Sequence, residues 1–333
     1  MIYDFSKTFA NDIPICLDNF LRYLETIKGK SSNTIKGYRS DLKLFFRFMM
    51  LYKRQIPANT PFDEIDISNI DETFVSTIRL NDLYAFLQFV EQYRNNGTYA
   101  RARKVASLKS FYKFLYSKEK SISENPTAEL ESPKIDKRHP VHLSLEQSIT
   151  LLSSLDSKRK NYLRDYCILT LFLNCGLRVS ELCQIKMSKI QNDTLTIVGK
   201  GNKERTVYLN DACLDALTQY MTIRMDMVVP SEYKDFLFLS THRQPITVRT
   251  VERMVKSSII KAGITNGEKY TPHKLRHTSA TIMYQNGVDL RKLQTILGHE
   301  SISTTEIYTH IEDDALREAV KTNPLSKIRN GHS

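Results

Sequence analysis

Little in this chain suggests a metal centre or a disulfide framework. Its five cysteines, at positions 16, 167, 175, 183 and 213, form no CxxC pair and no Cys/His spacing of the zinc-site kind, and their odd number argues against paired bridges. They are expected to be reduced and mostly buried small hydrophobes. Glycine and proline are scarce, 11 and 10 of 333 residues, which with 41% hydrophobic and 26% charged residues excludes collagen-like, low-complexity and disordered chains. No apolar run approaches the roughly 18 to 20 residues that span a bilayer. The start, Met1-Ile2-Tyr3-Asp4-Phe5, lacks a basic leader with an apolar stretch and small-residue cleavage site, so a cytoplasmic location and no membrane partner are expected. A phosphate loop of the GxxxxGK type is missing, and no carboxylates cluster so as to hold magnesium.

What the chain does have is length and positive charge. Its 333 residues predict two domains, each with its own core, and a net charge of +11 favours a polyanionic partner such as nucleic acid. The clearest break is Ser121 to His142, polar and without helical period, with prolines at 126, 133 and 140. Boundaries of 1–125 for an N-terminal domain, 126–142 for a linker and 143–333 for a C-terminal domain follow. Ser144-Leu145-Glu146-Gln147 reads as a capping box opening the first helix of the second domain.

The first domain reads as helical, with apolar residues recurring at three- and four-residue spacing over 13–27, 33–52, 80–95 and 98–117. In the second of these, Ile35, Tyr38, Leu42, Phe45 and Met49 line one side, and Lys36, Arg39, Lys43 and Arg47 form a basic stripe on another. Residues 98–120 repeat the theme with Arg101, Arg103, Lys104, Lys109, Lys113, Lys118 and Lys120 against the single acid Glu119. A solvated face accounts equally well for either stripe alone, but the two together favour phosphate contacts, with Lys36, Arg39, Lys43, Arg47, Arg101, Lys104, Lys109 and Lys113 as the expected DNA-binding residues. The acidic cluster Asp63, Glu64, Asp66, Asp71 and Glu72 reads as a solvated surface segment around a short helix.

The second domain reads as mainly helical with one small antiparallel sheet. Leu195-Thr196-Ile197-Val198 and Thr206-Val207-Tyr208-Leu209 flank Gly199 to Arg205, a hairpin with a basic tip. Thr271-Pro272 starts a helix that Gly287 ends, and Asp289 caps another that closes at Gly298. On the first of these, His273 and Arg276 are spaced to share one face, a plausible phosphate clamp, although an isolated pair of this kind is more often a capping His and a surface Arg. Arg178, following the apolar run Ile168 to Leu177, is by itself equally readable as a structural ion pair.

The order of motifs changes this balance: Gly176-Leu177-Arg178-Val179-Ser180-Glu181-Leu182, then Gly199-Lys200-Gly201-Asn202-Lys203-Glu204-Arg205, then His273-Lys274-Leu275-Arg276-His277, then Leu297-Gly298-His299, then Tyr308. This string resembles the tyrosine recombinases of the phage integrase family, closely the bacterial Xer type. Ser31-Ser32-Asn33-Thr34-Ile35-Lys36-Gly37-Tyr38-Arg39-Ser40-Asp41-Leu42 resembles the opening of that family's SAM-like core-binding domain. The resemblance implies a mainly α protein, a helical core-binding domain followed by a mainly helical catalytic domain with a small sheet. It implies that Arg178, His273, Arg276 and His299 surround the scissile phosphate of a DNA duplex, that Lys200 protonates the leaving 5′ oxygen, and that Tyr308 is the nucleophile. His273 is then a base or an orienting group, Glu181 orients Arg178 or His273, Lys203 or Arg205 contacts the DNA backbone, and His277 packs or hydrogen-bonds structurally.

The implied activity is site-specific recombination through a 3′-phosphotyrosyl intermediate and a Holliday junction, a transesterification that needs no nucleotide, metal or other cofactor. Its partners are double-stranded DNA carrying a recombination site, a tetramer of like or unlike subunits, and either a second recombinase or an activating protein. Chromosome or plasmid dimer resolution is the expected role. An integrase, excisionase or invertase of a mobile element would share the chemistry; a binding-only regulator and a type IB topoisomerase are the readings from other classes. Residues 313–327 either dock into a neighbouring subunit or fold back on their own domain, and the short stretch before residue 11 is expected to hold no arm-binding domain.

Overall fold

A computed structural model describes residues 12–134, 141–199 and 204–298. The chain divides into two compact units, Met1–Lys137 and Arg138–Ser333, each with its own hydrophobic core.

In the first unit the three-to-four spacing produces helices as expected. These are α1 (Ile15–Arg22), continued by a π turn over Tyr23–Ile27, α2 (Ser32–Tyr52), α3 (Glu72–Ser76), α4 (Leu80–Gln92) and α5 (Thr98–Phe114), continued by a π turn over Leu115–Glu119. Their shared face is aromatic: Phe45 of α2 meets Phe86 of α4 edge to face at 5.1 Å, and Phe20 of α1 meets Phe111 of α5 at 5.5 Å. Each of these rings is fully buried, a contribution of roughly 2–3 kcal/mol apiece.

The segment between α2 and α4 departs from its expected character. Its acids are exposed or capping, as when Asp71 accepts the Phe74 N–H at 2.8 Å to start α3, but Ile65, Ile67, Ile70, Val75 and Ile78 between them are buried. The acidic residues masked an apolar set that closes the core. Beyond α5, Ile122 and Leu130 are also buried in this core, so the chain stays packed on the first unit into the proline-rich stretch.

The second unit begins with Leu143 buried and its N–H donated to Thr278 Oγ1 at 2.9 Å. Ser144 and Gln147 form the expected reciprocal cap on α6 (Leu145–Ser153). At the centre lies α7 (Tyr162–Cys175), buried on all sides from Cys167 to Leu173, against which α9 (Asp211–Met225) and α11 (Pro272–Gln285) pack. Between them come α8 (Val179–Cys183) and the antiparallel sheet β1 (Ile190–Gln191), β2 (Thr194–Val198) and β3 (Glu204–Tyr208), in the order β1-β2-β3. The hairpin pairs Leu195 with Val207 and Ile197 with Arg205, so Arg205 and Val207 alternate with exposed residues toward the core side. Helix α10 (Val248–Lys261) precedes α11, and α12 (Leu290–Leu297) follows it, capped by Asp289 and ended by Gly298 at φ +64°. Among the described residues no helix is long and apolar enough to cross a membrane.

Candidate active site

The site is built on the C-terminal end of α7. Gly176 ends that helix at φ +59°, and a Cβ there would lie 2.7 Å from Leu297 Cδ2, so the turn favours glycine and Leu297 of α12 would have to shift for any other residue. Leu177 anchors the next step in the core, which leaves Arg178 extended as the residue before α8, and places Glu181 in the first turn of that helix.

Glu181 is the electrostatic centre. Its carboxylate, 2% exposed, accepts the Arg178 N–H at 2.8 Å, Arg178 Nη1 at 2.7 Å and Arg205 Nη2 at 3.0 Å, with Arg276 Nη1 at 3.9 Å. Burial alone would raise its pKa, but the Arg178 hydrogen bond and the Arg205 and Arg178 charges outweigh that and hold it below the ordinary glutamate range.

The same three arginines take the final carbonyls of α12. Arg205 Nη1 donates to Ile296 O, Arg276 Nη2 to Leu297 O at 2.6 Å, and Arg178 Nη2 to Gly298 O at 3.0 Å. A helix leaves its last carbonyls without intrahelical partners and presents partial negative charge there, so guanidinium groups satisfy both needs. Arg276 also donates to Gly176 O at 2.7 Å and is 3% exposed, whereas the Arg178 side chain is 37% exposed. Arg178 is therefore the open face of the cluster and Arg276 its floor.

His273 lies in the first turn of α11, after Thr271 and Pro272 as the sequence predicts. Arg276 is buried and turned toward α12, while His273 is exposed and its Nε2 lies 3.0 Å from His277 Nε2, their rings 4.4 Å apart and nearly perpendicular. One ring nitrogen must donate and the other accept, so at least one of the two is unprotonated there. Loss of solvation, then the charges of Arg276, Lys274 and Arg178, depress the pKa of His273 below the usual imidazole value.

Two expectations need correction. Arg205, placed by sequence at a basic hairpin tip toward DNA, points inward and binds Glu181 and α12; strand alternation with Val207 and Leu209 was the signal for this. Lys104, expected on the DNA side of α5, is 5% exposed and bonded to Asp41 of α2 at 3.1 Å, on the same inward stripe as Leu108, Phe111 and Leu115. Ser107 and Arg103 complete this brace on Asp41. Of the other basic residues, Arg39 and Lys43 both pair with Asp12, Arg47 with Asp63 and Arg101 with Glu91, while Lys36 and Lys113 are exposed and Lys109 half-buried. Lys200, Lys203, His299 and Tyr308 lie outside the described residues. Among the described residues no cluster of His, Cys, Asp and Glu is placed to hold a metal ion.

Comparison with known proteins bears on the whole chain. The phage integrase family model matches residues 142–315, and the model of the phage integrase N-terminal SAM-like domain matches residues 17–119. The chain is 53% identical over 315 residues to tyrosine recombinase XerC of Caldanaerobacter subterraneus subsp. tengcongensis, covering 94% of this chain and 88% of that one. It is 34% identical over 305 residues to tyrosine recombinase XerD of Staphylococcus saprophyticus subsp. saprophyticus, covering 90% and 95%. Its fold is similar to that of the XerH site-specific recombinase bound to a palindromic difH substrate, with a TM-score of 0.65 at 21% identity over 93% of this chain and 97% of that one. The chain belongs to the phage integrase family, as a tyrosine recombinase of the Xer type.

Proposed function

We propose that this protein is a site-specific DNA recombinase that cuts and rejoins double-stranded DNA through Tyr308, in a Xer-like role. The observation that carries the reading is the three-arginine cluster: Arg178, Arg205 and Arg276 converge on one carboxylate and one helix end, leaving an excess of positive charge at an open guanidinium. That is the field a phosphodiester needs as its phosphorus gains a fifth ligand. In this scheme Arg178 donates to a non-bridging oxygen, Arg276 adds its charge from beneath, and His299, next in sequence to Gly298, hydrogen-bonds the phosphate.

The chemistry balances without an outside energy source. The Tyr308 hydroxyl attacks phosphorus and its proton passes to neutral His273, the bond from phosphorus to the 5′ oxygen breaks, and Lys200 supplies the proton that makes that oxygen a hydroxyl. A phenol of ordinary pKa about 10 is almost fully protonated at pH 7, so a neutral imidazole near the attack is the fitting acceptor. The 5′ hydroxyl of a partner strand then attacks the phosphotyrosine and releases Tyr308. Exchange between two duplexes uses four such sites, hence a tetramer on DNA and a Holliday junction, in the service of chromosome or plasmid dimer resolution.

The test is an SDS-resistant adduct assay on nicked duplex fragments, with wild type beside Tyr308→Phe. Wild type is expected to form a covalent adduct and Tyr308→Phe to bind DNA without one. A persisting adduct in the variant would remove Tyr308 as nucleophile, and binding without any wild-type adduct would leave a DNA-binding protein in place of a recombinase.

A further inference from the structure

We propose that Arg205 is a positioning residue for strand cleavage, fastening the carboxylate that aims Arg178 to the end of α12, the chain that leads into His299. The assignment rests on the recombinase reading above and deepens it. Three observations converge on it. The side chain is 16% exposed, so its guanidinium faces the protein and not a duplex. Its two terminal nitrogens act on two different elements, Nη1 on Ile296 O and Nη2 on Glu181 Oε2 at 3.0 Å. Because Glu181 Oε2 also accepts the Arg178 N–H, Arg205 holds the oxygen that fixes the backbone and leaves Oε1 to the Arg178 side chain at 2.7 Å.

The third observation is Gly298. A Cβ there would sit 2.8 Å from Arg205 Cδ and Nε, so the stem of Arg205 lies directly over the glycine at φ +64° that turns the chain toward His299. In sequence Arg205 follows Lys200 by five residues, on the strand leaving the hairpin. One side chain thus ties together the strand after the proposed general acid, the carboxylate behind the phosphate grip and the turn before His299. A planar fork suits this role: Arg205 reaches Ile296 O and Glu181 with two different nitrogens held at a fixed spacing, whereas an ammonium presents its donors from a single nitrogen on a flexible stem.

The experiment uses the full chain and the duplex recovered from wild-type adducts, rebuilt with a nick so that cleavage is irreversible. Arg205→Lys and Arg205→Ala are compared with wild type in duplex affinity, its salt dependence, and adduct formation rate at saturating protein. Arg205→Lys is expected to bind with wild-type affinity and salt slope and to form adduct about 10- to 100-fold more slowly, the range for losing an orienting partner. Arg205→Ala should lose at least as much and recover part of it when guanidinium ion is added. A Lys variant cleaving at the wild-type rate overturns the assignment. So does weaker binding with a salt slope reduced by about one and an unchanged saturating rate, which is the behaviour of a phosphate contact. Should Arg205→Ala fail to fold, the Lys variant decides alone. A wild type that forms no adduct sinks the recombinase reading together with this one, whereas a wild-type adduct beside an unaffected Lys variant sinks only this one.

Discussion

Replacing Glu181 by Gln tests whether the arginine cluster depends on a single buried charge. The wild-type carboxylate has two acceptor oxygens and meets donors on both, from Arg178 at 2.7 and 2.8 Å and from Arg205 at 3.0 Å. A glutamine amide of the same shape has one acceptor, so its NH2 must face a guanidinium, and three buried or half-buried cations lose their counter-charge. Breaking a buried ion pair from one side costs about 3–5 kcal/mol. For a unit of this size that is roughly 6–20 °C in melting temperature. The sign of the pH dependence follows from the depressed pKa of Glu181: its stabilisation is complete above the ordinary glutamate value of 4.5 and is lost as pH falls through the lower folded value. Calorimetry of wild type and Glu181→Gln should therefore show a wide gap at pH 7 that closes below about pH 4.5, with adduct formation slowed about 10- to 100-fold at neutral pH. Equal melting at pH 7, or a gap that widens on acidification, would refute the argument.

Gly298→Ala must place a methyl 2.8 Å from Arg205 at a positive φ, and is expected to cost about 1–3 kcal/mol and to slow cleavage, read by thermal melts beside the adduct assay. Desolvation and the neighbouring positive charges lower the pKa of His273, so the saturating cleavage rate should fall on acidification with a midpoint below the usual imidazole value of 6.5. In His273→Gln that acid limb should vanish, and its survival would assign the limb to another group. Lys113→Ala, at an exposed position, is expected to lower the salt slope of DNA binding by about one unit without loss of stability. Lys104→Ala should do the reverse, leaving the slope unchanged while removing about 1–3 kcal/mol of stability, because buried Asp41 loses one charged donor and keeps Arg103 and Ser107.

The helices were legible because their cores and their ends are both written locally. Phe45, Met49, Leu108 and Phe111 fall at helical spacing, while Ser144 with Gln147, Thr271 with Pro272 and Asp289 with Gly298 mark boundaries that the structure reproduces within a residue or two. Strand β1 was not legible, since two residues carry no period. The isoleucines at 65, 67 and 70 were hidden by the acids between them, because charge dominates a short window when each apolar residue stands alone. Among the basic residues charge misled in the same way: Lys104 in the first unit and Arg205 at the site were counted with their basic neighbours, although the helical and strand periods turn both inward. Their partners, Asp41 and Glu181, lie far away in sequence, and no local pattern announces a pairing of that kind. Tyr308 could be singled out among 17 tyrosines only by resemblance to the family.

The end of α12 explains how several arginines can be held close together without losing the charge the chemistry needs. Ile296, Leu297 and Gly298 each give a carbonyl to an arginine from a different element: β3, α11 and the turn between α7 and α8. Had three carboxylates done this work, the cluster together with Glu181 would carry a formal charge of −1 and would repel a phosphate. Neutral carbonyls at the negative end of a helix fix the guanidinium planes and cancel little of their charge. With three guanidinium groups against the one carboxylate of Glu181, a formal charge of +2 remains. The buried, ionised Glu181 offsets part of the repulsion among them, and at 176 and 298 a positive φ with a Cβ 2.7 Å from Leu297 Cδ2 or 2.8 Å from Arg205 Cδ and Nε favours glycine. In the reaction proposed above, preorganisation of this kind would lower the barrier because the donors need not be gathered when charge develops on the phosphate.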